Sequence, residues 1–422
     1  MRSAARRVPW QPALLVLLAL CLPPWASRQR NFASCLQSSL NQWPCSSQEY
    51  GLRKPGRASG SSTRLLAAAL PATQDAPPVS DFWPWRDHTI HYLSLGPEDG
   101  KPVLLVHGFG VNGMNFRKTM VALASEGHRV YALDLLGFGR SSKPVGETYS
   151  LQLWEEQVVD FCTEFARNKQ PWVLGGNSIG GIIVLGVASN FCSEGAGAKF
   201  GGVRGLVLFN CAAGMNNKLL LTSYRTTPFE KTFGSLLFSL VDFLLAQEFV
   251  AQWGFSKLAT KETVSDLLRK VYVNPEAVDA ELVDGIVAPA LEEGALRVFV
   301  KCLCGDPGIP PEQLISKVGC PVKMIWGDRD LLTPLGVGYG FFFRALDQLY
   351  PSQWSLDVVP AGHAPHDDAP EAVHKVLCPW LADLPLEAAG KPLPEFDLEA
   401  VLKLSFDPEA LESVDNIGKL KL

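Results

Sequence analysis

The sequence predicts an α/β fold: a mostly parallel sheet with helices on both faces and a helical cap inserted between late strands. Three observations carry this expectation. Short apolar, strand-like runs alternate with stretches of helical periodicity. Several of those runs break into glycine-containing turns, at Gly108, Gly137 and Gly176. From Cys211 to Val318 strand signals stop for over a hundred residues, and Val322 then resumes them.

Taken in order, His88 to Leu95 begins the sheet, and Val103 to His107 and Val130 to Leu135 follow. Met114 to Ser125 and Leu151 to Arg167 carry helical periodicity between strands. Trp172-Val173-Leu174 is a short buried strand, with Val173 to Gly175 at its centre, and Gly181 to Ser189 a helix of small and apolar residues. Val203 to Asn210, Val322 to Trp326 and Trp354 to Val359 complete the strand set. Within the inserted segment, Phe233 to Val250 is apolar all round, with only Asp242 and Glu248 charged. Two readings of that stretch stay open: a cap helix packed on the core, or a hydrophobic wall or membrane-touching patch, with Phe233, Leu237 and Phe238 as substrate contacts. The expected organisation is a signal-like segment 1–27, a disordered transit-like segment 28–78, a main domain 79–385 with its cap at about 211–318, and a helical, partly acidic tail 386–422.

The chemistry centres on Gly176-Asn177-Ser178-Ile179-Gly180, which sits between a strand and a helix. A Ser on so sharp a turn is forced outward, and the flanking glycines remove Cβ atoms that would clash. Upstream, Val103 to Val106 runs into His107-Gly108-Phe109-Gly110, whose small residues let backbone N–H groups turn toward that Ser. The main-chain amides of Phe109 and Ile179 are therefore the expected oxyanion hole. His107 and Gly108 are placed at the substrate side of this loop, His107 as its organiser. Downstream, Gly327-Asp328-Arg329-Asp330 follows a strand, and Asp330, farther into the loop, is the better acid. His363 follows the strand ending at Val359.

The chain order Ser178, Asp330, His363 is the Ser, acid, His order of α/β-hydrolases. A hydroxyl is a poor nucleophile near neutral pH, so an imidazole must remove its proton, and a carboxylate fixes the imidazole's tautomer and stabilises its cation. Dehalogenase and epoxide hydrolase chemistry needs a carboxylate at the turn, which Ser178 does not supply. A lipid or pigment carrier on the same scaffold is the non-enzymatic alternative. His366 is read as a hydrogen-bonding loop residue, and Asp134 as a brace for its own turn.

Composition bounds the partners. The 422 residues, 47% hydrophobic and 19% charged, suffice for a large core plus an accessory domain. Residues 1–74 hold nine Arg or Lys against Glu49 alone, which leaves −13 of the overall −5 on the rest of the chain. A domain that acidic is a poor nucleic-acid binder. In the leader, Arg2, Arg6 and Arg7 precede an apolar run from Ala13 to Leu22, about half the roughly twenty residues a bilayer span needs. Residues 28–74, rich in Ser, Arg and Ala, have transit-peptide composition. Signal plus transit implies import into a plastid bounded by extra membranes, with secretion the alternative. Of ten cysteines, Cys21, Cys35 and Cys45 lie in the leader, and the remaining seven are odd in number and scattered. The close pair Cys302 and Cys304 lacks a second cluster, so reduced, mostly buried thiols and no metal or other cofactor are expected.

From about Trp83 to Trp380 the chain resembles plastid α/β-hydrolases of the chlorophyll dephytylase and pheophytinase group. The resemblance rests on Trp83-Pro84-Trp85-Arg86, Val106-His107-Gly108-Phe109-Gly110, Ala132 to Gly139, Gly176 to Gly181, Trp326-Gly327-Asp328 and Ala361 to Asp367. It implies an α/β-hydrolase fold, Ser178 as nucleophile, Asp330 as acid and His363 as base. It also implies a hydrophobic ester as substrate, the phytyl ester of a chlorophyll-type pigment; peripheral contact with a thylakoid surface is left open by the sequence.

Overall fold

In the computed structural model, residues 77–166, 169–191, 200–221, 228–336, 338–387 and 396–405 are described. The two leader segments, all but the last two residues of 1–78, and most of the expected tail lie outside them. Eight strands form one sheet: β1 (Val79–Trp85), β2 (His88–Leu95), β3 (Lys101–Val106), β4 (His128–Leu133), β5 (Trp172–Asn177), β6 (Val203–Phe209), β7 (Val322–Gly327) and β8 (Trp354–Val359). Their order is β1-β2-β4-β3-β5-β6-β7-β8. The β1–β2 and β2–β4 pairs are antiparallel, and every other pair is parallel.

Helices cover both faces because each has an apolar side to bury against a sheet of Val, Leu and Ile. On one face α2 (Leu151–Glu164), α3 (Ile179–Asn190) and α9 (Tyr339–Leu349) supply Trp154, Phe161, Ile182 and Phe343 to the core. On the other, α1 (Arg117–Ser125) and α10 (Pro370–Asp383) supply Met120, Leu123, Val373 and Leu377. A further helix, α11 (Leu398–Ser405), belongs to the expected tail and buries Val401 against the first face. The Ser150 hydroxyl caps α2 by accepting the Leu153 N–H.

Between β6 and β7 the described residues build only helix and loop: α4 (Pro228–Ala246), α5 (Glu248–Leu258), α6 (Lys261–Val271), α7 (Ala280–Ala290) and α8 (Ala295–Cys304), with short helical turns. Three details depart from expectation. β1 was not anticipated: only Trp83 and Trp85 of its seven residues face inward, and Pro84 interrupts the donor row, which only an edge strand tolerates. β4 begins two residues earlier than expected, and α2 ends at Glu164. The ring of Phe233 in α4 is 63% exposed, which departs from the reading of a cap helix packed on the core and agrees with that of an outward patch.

The strand order places the site. After β3 the chain moves to one side to form β4, then returns to the other to form β5, so the connections leave β3 and β5 in opposite directions. A crevice opens at the C-terminal ends of strands where the order reverses in this way. Val106 pairs with Gly176, which sets the turn after β3 beside the turn after β5.

Candidate active site

Ser178 occupies the first position before α3 with φ 55° and ψ −119°. An ordinary Ser there would cap the helix with its hydroxyl, but here the side chain makes no cap bond. A non-glycine residue at positive φ costs about 1–3 kcal/mol and persists only where its surroundings over-determine it. They do: the Ser178 N–H donates to the Phe209 carbonyl at 3.0 Å, and its own carbonyl accepts from Gly181 and Ala212, each at 3.0 Å. A Cβ on Gly176 would overlap the Gly180 carbonyl, and one on Gly180 would overlap the Val106 carbonyl oxygen. Gly180→Ala is therefore expected to destabilise the fold by about 3 kcal/mol or more, read as a lowered Tm, because both partners are backbone and cannot swing aside.

The loop after β3 lies against this turn. A Cβ on Gly108 would sit 3.2 Å from the Cβ of Ser178. His107 is fully buried. Its Nδ1–H donates to the Gly108 carbonyl at 2.7 Å and its Nε2 accepts the Leu135 N–H at 3.0 Å. A carbonyl can only accept and an amide can only donate, so the tautomer is determined and both ring nitrogens are used. Burial lowers the imidazole's pKa, against the opposing pull of Asp134, and keeps it neutral. His107 is thus an organiser of the loop, and the expectation that it touches substrate is overturned. Phe109 is partly exposed, with its ring against Phe138 and against Phe299 of α8. Ile179 opens α3, whose first-turn N–H groups have no intrahelical acceptor.

Asp330 is 3% exposed and receives four donors. His363 Nδ1 lies 2.9 Å from Oδ2, Asn210 Nδ2 and Thr333 Oγ1 donate at 2.5 Å each, and the Leu332 N–H donates at 2.8 Å. Burial by itself would raise the carboxyl's pKa, but the charge of His363 and the bonds from His363, Thr333 and Asn210 outweigh it and hold the group well below the usual carboxylate range. Asn210 stands at φ 44°, and its Oδ1 accepts the Gly327 N–H at 3.0 Å, so it fixes the acid loop from β6. Sequence reading ended a strand at Asn210 and gave it no role, since its partner lies 120 residues away.

His363 is held from two further directions. Asn177, the neighbour of Ser178, donates from Nδ2 to the His363 carbonyl at 3.0 Å. The His363 N–H donates to the Val271 carbonyl at 2.9 Å, at the end of cap helix α6. Next to it Gly362 carries no Cβ, and one would overlap that same Val271 carbonyl. Asp368, 1% exposed, accepts the N–H groups of Gly362 at 2.6 Å and of Val273 and Asn274 at 2.8 Å each. Asp368→Ala strands three donors. The expected result is a loss of about 3 kcal/mol in stability and a roughly 10- to 100-fold fall in kcat with KM little changed, measured on a soluble ester.

The structure thus brings Asp330 onto His363, and Asn177 ties His363 to the turn bearing Ser178. The Ser178 hydroxyl itself makes no hydrogen bond among the described residues. His366, three residues on in the short helical turn Pro365–Asp368, is fully buried, stacks on Phe116 at 4.2 Å and bonds Asn115 through Nε2 at 2.9 Å. Burial pushes its pKa well below the ordinary value. Asp134 braces its turn by accepting the Gly113 and Arg140 N–H groups, and also pairs with His91 at 2.7 Å, a long-range contact that the sequence did not signal.

An apolar cavity of about 70 Å³ adjoins the loop after β3, between Gly110, Phe138, Phe255, Ile286, Val298 and Phe299. None of Phe233, Leu237 and Phe238 lines it; Phe233 is exposed, and Leu237 and Phe238 are half-buried. A larger hollow of about 160 Å³ lies among Glu98, Arg129 and Tyr131, at the N-terminal ends of β3 and β4 and away from Ser178. The six described cysteines are not in disulfides, and four of them are buried. Among the described residues no three His, Cys, Asp or Glu side chains gather as a metal site.

Comparison with known proteins bears on the family and the fold. A family model described as "Alpha/beta hydrolase family" matches residues 103–376. Lipase 3 of Moraxella sp. (strain TA144) is 28% identical over 55% of the chain and 63% of its own length. Pheophytinase, chloroplastic, of Arabidopsis thaliana is 22% identical over 70% of the chain and 64% of its own length. The match thus spans slightly under two thirds of either relative. Among solved structures, a thermophilic esterase from Thermogutta terrifontis superposes with a TM-score of 0.52 at 21% identity, covering 73% of the chain and 98% of that esterase.

Proposed function

The chain belongs to the alpha/beta hydrolase family, and on that premise we propose that it is a serine hydrolase of a hydrophobic carboxylic ester. One observation carries this reading: Ser178 is held at φ 55° with its hydroxyl released from helix capping, on the turn that Asn177 ties to the His363–Asp330 pair. A structural Ser would be capping the helix. In the proposed reaction the Ser178 oxygen attacks the ester carbonyl while His363 Nε2 takes its proton. The carbonyl oxygen becomes an oxyanion and is met by the N–H groups of Phe109 and Ile179. His363 then returns the proton to the departing alcohol, water attacks the acyl-enzyme with His363 again as base, and the acid leaves. Asp330, kept ionised by its donors, holds the imidazole with Nδ1 protonated and stabilises its cation.

As the particular ester we propose the phytyl ester of chlorophyll or pheophytin, cleaved in a plastid. Its support is the set of motifs quoted above and the presence of a pheophytinase among the relatives. Entry by the 1–78 leader belongs to the same proposal, with secretion as its competitor. A second reading, an acyl ester of a lipid, is favoured by the similarity to a lipase at 28% identity. Incubation with chlorophyll a and pheophytin a in mild detergent separates the two. The expected product is phytol-free pigment. If neither pigment is cleaved while simple acyl esters are, and Ser178→Ala abolishes that cleavage, the pigment reading fails and the lipid ester reading stands.

A further inference from the structure

The cap carries an apolar face on which nothing is packed among the described residues. Phe233, Leu236, Leu240 and Phe243 recur along α4 at helical spacing, and after a 91° bend Phe249 and Trp253 continue on α5; all six are between 44% and 76% exposed. A stripe of this kind is ordinarily turned into a core. Here the opposite side of α4 is the one that meets the protein, through Gly234 against Leu221 and Asp242 against Lys218 at 2.7 Å. From Thr232 to Phe243 the exposed residues are Thr, Phe, Ser and Leu, with no charge among them.

We propose that the exposed face of α4 and α5 docks on a lipid surface, with its Phe and Leu side chains in the boundary between headgroups and acyl chains. Three observations select this occupant. Neither helix alone is long and apolar enough to cross a bilayer, and the two reach that length and composition only when added across a 91° bend, a shape that suits lying along the surface. Two axes bent through 91° define a plane, and a lipid surface can take side chains from both, whereas a helix–helix seam takes one. Charge agrees as well. From Lys231 to Leu258 the two acids are neutralised, Asp242 by Lys218 and Glu248 by Arg297, while Lys257, one turn beyond Trp253 on the same face, makes no ion pair among the described residues. In a domain carrying a large negative surplus, the patch is the place where an anionic or zwitterionic headgroup meets no repulsion.

The arrangement also gives docking a use. Phe255 of α5 lines the apolar cavity beside the loop after β3, so one short helix joins the outer face to that cavity. That use rests on the ester reading above; the docking does not.

The test takes the full chain with Ser178→Ala, which leaves vesicle lipids uncleaved, and measures co-sedimentation with phosphatidylcholine vesicles, with and without phosphatidylglycerol. The comparison adds Leu236→Ser, Leu240→Ser and Phe243→Ser to the same chain, and, as a single change, Phe243→Lys. The triple variant should partition more than about tenfold less. Placed in the otherwise native chain, the same three changes should leave the circular dichroism spectrum and the hydrolysis of a water-soluble short ester unaltered. Equal sedimentation of both chains, absence of sedimentation in the parent, or a parent dimer that the triple variant splits into monomers without any vesicle binding would each overturn the proposal. Loss of soluble-ester hydrolysis in the native chain sinks the ester reading and leaves the vesicle result to stand by itself.

Discussion

Ser178→Ala is expected to lower kcat on any cleaved ester by at least roughly 10⁴-fold and to abolish labelling by a fluorophosphonate, with the folded structure and Tm little changed. Each half of that expectation has its own cause. The catalytic loss follows because no other hydroxyl is described on the turn between β5 and α3. The structural neutrality follows because Ser178 pays for its positive φ through its backbone, and Ala carries the same Cβ. No cap bond is lost, since the hydroxyl makes none. Cleavage that survives this change, or a label that still attaches at the turn, would remove Ser178 from the mechanism.

Asp330→Asn should be almost as damaging, with kcat falling by about 10³- to 10⁴-fold, and unlike the first change it should also destabilise the protein. Four donors converge on two carboxylate oxygens: His363 Nδ1, Asn210, Thr333 and the Leu332 amide. An Asn side chain has one acceptor atom and one NH₂, so at least one buried donor would face another donor. That costs about 1–3 kcal/mol and frees His363 to adopt the other tautomer. The acid limb of stability gives a second reading. Because the folded pKa of Asp330 is depressed, its contribution to stability is fully present above the unfolded value of about 4 and is lost as pH falls from there through the lower folded value. The variant lacks that contribution, so its stability should vary less with pH across this range. An unchanged kcat together with an unchanged acid profile would show that Asp330 is not the partner of His363 in solution.

How far the molecule could be read beforehand depended on whether the physics was local. A strand running into a glycine turn is a local event, and Ser178, Asp330 and His363 could each be picked from such an event. The chain order then did the rest. Local, too, was the clash that makes Gly176 and Gly180 necessary. By contrast, Asn210 acts on a carboxylate 120 residues away and Asp368 on backbone groups about 95 residues away. Nothing in their neighbourhoods distinguishes them from other polar loop residues. The cap stayed open for a different reason: a helix with apolar residues on every side has no amphipathic signal, so the sequence could not choose between a packed helix and an outward patch, and Phe233 faces out. His107 was misassigned to substrate because exposure cannot be read from a motif, and its two ring nitrogens are both spent on the backbone. β1 escaped notice because an edge strand with most side chains in water lacks the alternation that marks a half-buried one.

The join between the His363 loop and residues 271–274 restricts how this protein can be opened or rebuilt. Backbone meets backbone there at the His363 N–H, Asp368 clips both chains together, and Gly362 leaves no room between them. A swing of the cap about that point would drag the imidazole with it, so any doorway belongs at the far, α4–α5 side, and this corner is its fixed jamb. A chimera that borrows a foreign cap should accordingly be spliced to keep 271–274 native, since a graft cut through that segment would arrive with His363 out of place.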